Sequence, residues 1–347
     1  MKHLTVAVTG ASGMVGYHVV RHLAERGLTV KALVRQSSDT QALSKVAGAV
    51  SIARVALSDR SGLVEALKGA DAVVHAAGSV DPLARREEIT AVNVEGTRSC
   101  LSAALEAGVK HFLHVSSLSV ITGQGDQYGL TEAAPLVYCG EAYADSKVDA
   151  EKAVMAYAGG QAIKVTILRP GFIYGPGERA WMPRLINSLA AGKAMLIDGG
   201  AKETNVIYVE NLCRAVELAL STEASYGQVY NLTDGQKVTK KELFDAICDG
   251  LGYPRVTRTI PGPVARLVCE AVSTVAPFLP MEMRRKLGRY SRAAFRLAGV
   301  NQGFDITKAE RELGYTDRIP FAEGMRRTLA HFGARPAGRQ TREVNVV

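Results

Sequence analysis

A strand that runs into three glycines and out into a helix constrains this chain more than any other feature of it. Leu4–Thr9 is a β-branched run, and Thr9-Gly10-Ala-Ser-Gly13-Met-Val-Gly16 follows without a break. Met14–Arg26 then carries helical apolar spacing at Val15, Val19, Leu23 and Ala24 before Gly27 stops it. Gly10 permits a tight turn, Gly13 lets the backbone approach a ligand with no Cβ in the way, and Gly16 lets the helix pack closely on the strand. The helix N-terminus offers free N–H groups and the positive end of its dipole, which suits a pyrophosphate. A glycine pattern alone is weak evidence. Here it has the strand–turn–helix context that a dinucleotide cradle requires, with Gly10, Ser12, Gly13, Met14 and Gly16 as candidate contacts. A glycine-rich turn without a ligand is the bland alternative.

Strand and helix continue to alternate. Strands are expected at Thr29–Val34, Ile52–Leu57, Ala72–His75, His111–Val115 and Lys164–Leu168, with helices at Leu63–Lys68, Asn93–Ala107 and Tyr143–Ala158. Repeated β-α-β with continuous apolar strands predicts an α/β fold, a doubly wound parallel Rossmann sheet covered on both faces. After Pro170 the pattern loosens into helices at Met182–Ala191 and Lys240–Gly250, with short strands at Val206–Val209 and Gln228–Asn231. The expected division is a dinucleotide-binding domain of 1–170 plus 205–231. A smaller, mostly helical substrate-binding domain takes 171–204 plus 232–332, and 333–347 is a flexible tail.

The residue closing the second strand selects the dinucleotide, because an acid there binds the ribose 2′-hydroxyl and an arginine accommodates a 2′-phosphate. The chain reads Leu33-Val34-Arg35-Gln36-Ser37-Ser38, with no acid before Asp39. Arg35 favours NADP(H); an arginine stacked on the adenine of NAD(H) is the competing reading.

Tyr143-Ala-Asp-Ser-Lys147 places a phenol and an ammonium at i, i+4 on one helix face. A phenol is a poor base at neutral pH, and a neighbouring ammonium together with an oxidised nicotinamide stabilises its phenolate. Ser116-Ser117-Leu-Ser119 closes the strand ending at Val115, at the carboxyl edge where ligands bind in such sheets. A chance pair on a helix surface is the alternative, set against the glycine loop in the same chain.

The net charge of +8 over 347 residues is not accompanied by a helix-turn-helix, zinc-finger or RNP pattern, so a basic surface around a phosphate-rich cofactor is preferred to nucleic-acid binding. Five scattered cysteines form no CxxC pair, which supports neither a metal site nor a disulfide framework. With no leader pattern and no apolar run near ~20 residues, a cytoplasmic, or at most membrane-peripheral, protein is expected.

Together these features resemble the extended short-chain dehydrogenase/reductase family from about Lys2 to Phe332. The matching landmarks are Thr9–Gly16, His75-Ala-Ala-Gly78, Asn93-Val-Glu-Gly-Thr97, His114-Val-Ser-Ser117, Tyr143-xxx-Lys147 and Arg169-Pro-Gly-Phe-Ile-Tyr-Gly-Pro176. The resemblance implies that Ser117, three residues before Val120, is the catalytic serine beside Tyr143 and Lys147. It implies that Lys147 also holds the nicotinamide ribose, and that Leu57, Ala76, Ala77 and Pro170 line the cofactor. Ser79, Ser117, Leu118 and Phe172 then face the substrate. Two places depart from the family: Ala56-Leu57 stands where an Asp-Leu pair is usual near the adenine, and Val120-Ile-Thr replaces Val-Tyr-Gly.

Members acting on nucleotide sugars carry an asparagine and a later arginine at the positions of Phe172 and Thr204. A phenyl ring and a small hydroxyl remove those anion contacts and make the pocket more apolar. The remaining resemblance is to the 3β-hydroxysteroid dehydrogenase and dihydroflavonol reductase branch. It implies an oxidoreductase interconverting hydroxyl and ketone on an apolar or ring-bearing molecule. A nucleotide-sugar epimerase or dehydratase and a non-catalytic NADP-sensing scaffold are the alternatives; an intact Tyr143, Lys147 and Ser117 count against the scaffold. Homodimerisation is a further implication of the resemblance.

Val264, Leu267, Val268, Ala271 and Val275 form a late amphipathic stripe, and 281–296 contains six basic residues and one acid. Core packing beneath a solvated face is the expected reading; peripheral membrane contact through 263–296, or a cap over a greasy pocket, is the other.

Overall fold

Val6 and Val8 point to one face of a sheet and Ala7 to the other, and all three are fully buried. A strand covered on both sides must be apolar at every position, which is why Thr5–Thr9 shows no alternation. The computed structural model describes residues 4–333 except 82–83, 124, 160–161, 281, 284–286 and 288–289. The expected tail therefore lies, apart from Gly333, outside the described residues.

Seven parallel strands form the central sheet in the order Gln228–Leu232, Lys164–Pro170, His111–Val115, Ala72–His75, Thr5–Thr9, Thr29–Val34 and Val50–Arg54. Strand order reverses between Thr5–Thr9 and Ala72–His75, and the crevice at their carboxyl ends is where ligands bind in such sheets. Helices Met14–Glu25 and Val209–Ser221 cover one face through Val19, Val20, Leu23, Leu212 and Val216. Helices Arg60–Leu67, Gly96–Glu106 and Ala142–Met155 cover the other through Leu63, Leu67, Leu101, Ala104 and Val154. Each such aliphatic side chain contributes about 1.5–3 kcal/mol relative to exposure.

The predicted strand Ile52–Leu57 is found two residues earlier, at Val50–Arg54. The helix expected from Asn93 begins as a π-helical stretch, Ala91–Glu95, before Gly96–Glu106. Past Pro170 there is more strand than the sequence suggested. Phe172–Tyr174 pairs in parallel with Val206–Tyr208, and Glu203–Thr204 pairs antiparallel with Val238–Thr239. Helices Met182–Ala190, Lys240–Leu251 and Phe321–Gly333 gather there around Ile186, Leu189, Leu243, Ile247, Met325 and Leu329.

The late stripe is where expectation and structure part. Helix Gly262–Val275 turns its small residues Gly262, Ala265 and Cys269 inward and leaves Val264, Leu267, Val268 and Val275 exposed. Core packing is not what this stripe does.

Candidate active site

The phosphate loop is fixed by what lies behind it. Gly10 has φ +67°, and a Cβ there would stand 2.8 Å from Ala77 Cα, so the loop backbone touches the end of the neighbouring strand. Helix Met14–Glu25 starts at Gly13 with no side-chain cap, leaving its first N–H groups free for an anion. Ser12 and Gly13 are exposed and Met14 half-buried, whereas a Cβ on Gly16 would collide with the Gly10 carbonyl.

A buried polar chain ties this loop to Ala76 and Ala77. Thr97 Oγ1 donates to Asn93 O (2.7 Å) and lies 3.0 Å from His75 Nε2, so it accepts the Nε2–H of a neutral imidazole. His75 Nδ1 then accepts from Thr9 Oγ1 (2.9 Å), which itself accepts Ala77 N–H (3.3 Å). Burial, with Lys147 nearby, holds the His75 pKa down to about 3, which keeps this tautomer neutral.

Arg35 is exposed at the mouth of the loop after the second strand. The loop is shaped by a residue the sequence reading missed. The Arg54 guanidinium donates to Gln36 O (2.7 Å), Ser38 O (3.0 Å) and Thr40 Oγ1 (3.1 Å), and Ser12 Oγ donates to Ser38 Oγ (3.0 Å). Parallel register puts Arg54 beside Val34, a neighbour that no local pattern announces. Leu57, which follows Ala56 at the place of the usual acid, is half-buried against the second core cluster and lies where a Cβ on Gly96 would touch it.

Tyr143 and Lys147 stand one turn apart on helix Ala142–Met155, and Ser117 caps the short helical turn Leu118–Ile121 beyond the fifth strand. Ser117 hydrogen-bonds the Tyr143 phenol, and its Oγ also accepts Ser119 N–H (3.1 Å). Ser116 is otherwise engaged: its hydroxyl is buried and donates to Glu151 Oε2 (2.7 Å). Of the two adjacent serines, Ser117 is the one at the phenol.

Lys147 is only 6% exposed and donates to Val115 O (2.9 Å). Burial lowers its pKa to about 8 against the raising influence of Glu151. Glu151 is itself buried and accepts from Arg169 Nε (3.1 Å) and Arg169 Nη2. Asn93, carried on the π-helical stretch, donates to Ser146 Oγ (2.9 Å) and Ser79 O (3.0 Å) and accepts Ser79 N–H (2.7 Å). Sequence reading used Arg169 and Lys147 as landmarks without seeing that Glu151, eight residues after Tyr143, pairs with the first and acts on the charge of the second.

Burial raises the Tyr143 pKa, and the hydrogen bond with Ser117 opposes it.

On the substrate side, Ser79 is half-buried with its backbone held by Asn93. Leu118 does not face the cleft as expected. Its side chain is fully buried with Val120, Ile121 and Val148, because the helical turn after Ser117 rolls it into the core. Phe172 is half-buried and meets Trp181 edge-on at 6.3 Å, packing against the cluster past Pro170. Thr204 is buried opposite Val238, and Pro170 is buried at the end of its strand.

Residues 6–233 match the model of the NAD dependent epimerase/dehydratase family. The chain is 32% identical to a 4-hydroxy-2-methyl-3-oxo-4-farnesyl-3,4-dihydroquinoline-1-oxide ketoreductase of Stigmatella aurantiaca, over 92% of this chain and 93% of the relative. It is also 32% identical to 3beta-hydroxysteroid-dehydrogenase/decarboxylase isoform 2 of Arabidopsis thaliana over 82% of this chain, and spans only 52% of that relative's length. Among solved structures, a dTDP-glucose 4,6-dehydratase of Streptomyces venezuelae with NAD bound superposes with a TM-score of 0.75 at 26% identity, covering 95% of this chain and 97% of that one. The glycine loop, Ser117, Tyr143 and Lys147 all lie within residues 6–233, and the chain belongs to the NAD dependent epimerase/dehydratase family, the extended short-chain dehydrogenase/reductases.

Proposed function

We propose that this protein is an NADP(H)-dependent oxidoreductase that reduces the ketone of an apolar or ring-bearing substrate. One observation carries the reading: the Ser117 hydroxyl is hydrogen-bonded to the Tyr143 phenol, with a buried ammonium one helical turn away. Residues 1–170 and 205–231 form the dinucleotide-binding part, and 171–204 with 232–332 the substrate part. The loop residues fit a dinucleotide, since free helix N–H groups and a bare Gly13 face the pyrophosphate position. Gly10, Ser12, Met14, Gly16, Leu57, Ala76, Ala77 and Pro170 line the rest. When bound, the reduced nicotinamide supplies the hydride. Tyr143 gives its proton to the carbonyl oxygen, Ser117 orients that oxygen, and Lys147 holds the ribose. The product is the corresponding alcohol.

The substrate class rests on Phe172 and Thr204, which offer a nucleotide diphosphate no guanidinium or amide. Relatives named for a farnesyl-bearing quinoline oxide and for hydroxysteroids support it. The test is titration with NADPH and NADH separately, then a screen of steroid, flavonoid and long-chain β-keto compounds for loss of nicotinamide absorbance. Turnover of a sugar nucleotide and of none of these ketones would overturn the reading.

Two measurements probe the parts. Arg35→Asp places an acid where a 2′-phosphate would sit, and the ratio of kcat/KM for NADPH over NADH is expected to fall by about tenfold or more. An unchanged ratio removes Arg35 from the site. A lowered lysine pKa means that the ammonium is present below about 8 and lost above it. In the reductive direction kcat/KM is expected to be level at lower pH and to decline as pH rises through about 8, a limb that Lys147→Arg moves out of range. A wild-type profile with no decline there would dissociate Lys147 from catalysis.

A further inference from the structure

The second strand of the sheet ends in a loop with little core of its own. Arg35, Gln36, Ser37 and Asp39 are exposed and Ser38 and Thr40 half-buried, so hydrogen bonds have to fix the backbone there. One side chain at the end of the neighbouring strand is the centre of that network. Arg54 Nη1 donates to Gln36 O (2.7 Å) and Ser38 O (3.0 Å) and has Arg35 O at 3.4 Å, while Nη2 donates to Thr40 Oγ1 (3.1 Å). Gln36 Nε2 donates back to Arg54 O (3.2 Å), and Ser38 N–H closes the turn onto Arg35 O (3.1 Å). The glycine turn is latched to the same strand and loop, since Ala11 N–H donates to Leu33 O (3.2 Å) and Ser12 Oγ to Ser38 Oγ (3.0 Å).

We propose that Arg54 sets the preference for NADP(H) by holding the loop that presents Arg35, acting as a positioning residue rather than as a contact of the dinucleotide. This role rests on the NADP(H) reading above. The Arg54 guanidinium faces carbonyl oxygens and a hydroxyl of the loop, and its planar fork suits the task because the N–H directions are fixed relative to one another. A lysine offers the same charge from a single rotatable point and does not span Gln36 O, Ser38 O and Thr40 Oγ1 in the same way.

The loop so held offers a dianion what it needs. Its carboxylate is occupied, because Asp39 Oδ1 accepts Gln41 N–H (2.9 Å). Arg35 stays exposed, with Ser37 exposed beside it, and forms no ion pair among the described residues. A 2′-phosphate gains charge-assisted hydrogen bonds from such a guanidinium, whereas the neutral 2′-hydroxyl of NAD(H) gains far less. Order in this loop therefore bears on the 2′-phosphate and little on the pyrophosphate, which the glycine turn serves. A loop ordered before binding removes that ordering cost from the binding step.

The experiment is calorimetric titration of the full chain with adenosine 2′,5′-bisphosphate and adenosine 5′-phosphate, which differ only in the 2′-phosphate. Wild-type protein should bind the bisphosphate at least about tenfold more tightly. Arg54→Ala should bring the two affinities to within about threefold of each other, with the thermal midpoint and the affinity for adenosine 5′-phosphate unchanged. Arg54→Lys should behave like Arg54→Ala; restoration of the wild-type ratio by lysine would mean that charge, not positioning, is the role of Arg54. In an Arg35→Ala background, adding Arg54→Ala should change the ratio by less than about twofold, because the guanidinium to be presented is already gone. An equal loss in both backgrounds would sever Arg54 from Arg35. A wild-type preference that Arg54→Ala leaves intact would refute the inference alone, whereas wild-type protein with no preference would refute the NADP(H) reading on which it rests.

Discussion

Tyr143→Phe is expected to lower kcat for ketone reduction by roughly 10³-fold while the dissociation constant for NADPH stays within about twofold. The substitution removes one oxygen, and that oxygen is the proton donor in the reaction proposed here. Its structural cost is small. The phenol's recorded partner is Ser117, whose Oγ keeps the Ser119 N–H at 3.1 Å, so about 1 kcal/mol of hydrogen bonding is at stake in a fold this size. A stable variant that binds cofactor and does not turn over is therefore the expected combination, read by single-turnover kinetics and nicotinamide fluorescence. Activity above about a tenth of wild type would mean that another group protonates the carbonyl oxygen. Ser117→Ala sharpens the comparison. It should also reduce kcat and, by removing the influence that lowers the Tyr143 pKa, leave the phenol still harder to ionise.

The central sheet was legible because each strand meets its neighbours through residues that share one pattern. Thr29–Val34, Ala72–His75 and His111–Val115 have the boundaries their apolar runs predict. The glycine loop was legible for the same local reason, since Gly10, Gly13 and Gly16 serve contacts within a few residues of themselves or across one strand pair. What was not legible depends on register and on distant partners. Arg54 shapes the Arg35 loop only because Val34 and Arg54 are cross-strand neighbours. Leu118 turned inward because Ser117 caps a helical turn rather than continuing the strand. The stripe at 264–275 has the spacing of a core-facing helix, and spacing alone does not say which face meets the protein. Only the small side chains of Ala265 and Cys269 let that helix approach its neighbours, and they direct the large ones outward.

The largest expected loss of stability comes from a carboxylate that sequence reading did not single out. Glu151 is 1% exposed and Arg169 4%, and the Ser116 hydroxyl completes the set behind Lys147. Two charges buried together gain little over apolar residues of the same size, because desolvation offsets their attraction. Breaking the pair is a different matter. Glu151→Gln leaves the Arg169 guanidinium uncompensated, with Glu132 O at 3.4 Å as its remaining acceptor outside the pair, and should destabilise the fold by about 3–5 kcal/mol. Against the ~5–15 kcal/mol that holds a protein folded, that is a lowering of the thermal midpoint by roughly 5–10 °C. Glu151→Gln with Arg169→Met removes both charges and should restore much of the loss. The two variants also separate stability from chemistry. Glu151 is the group that raises the Lys147 pKa against burial, so both variants should move the basic limb of kcat/KM below its position near about 8. Recovery of the midpoint without recovery of the limb would assign Glu151 two roles, partner to Arg169 and counter-charge to Lys147. A single variant as stable as wild type would show that solvent or a neighbour neutralises Arg169 in its place. A limb unmoved in the double variant would show that burial alone sets the protonation of Lys147.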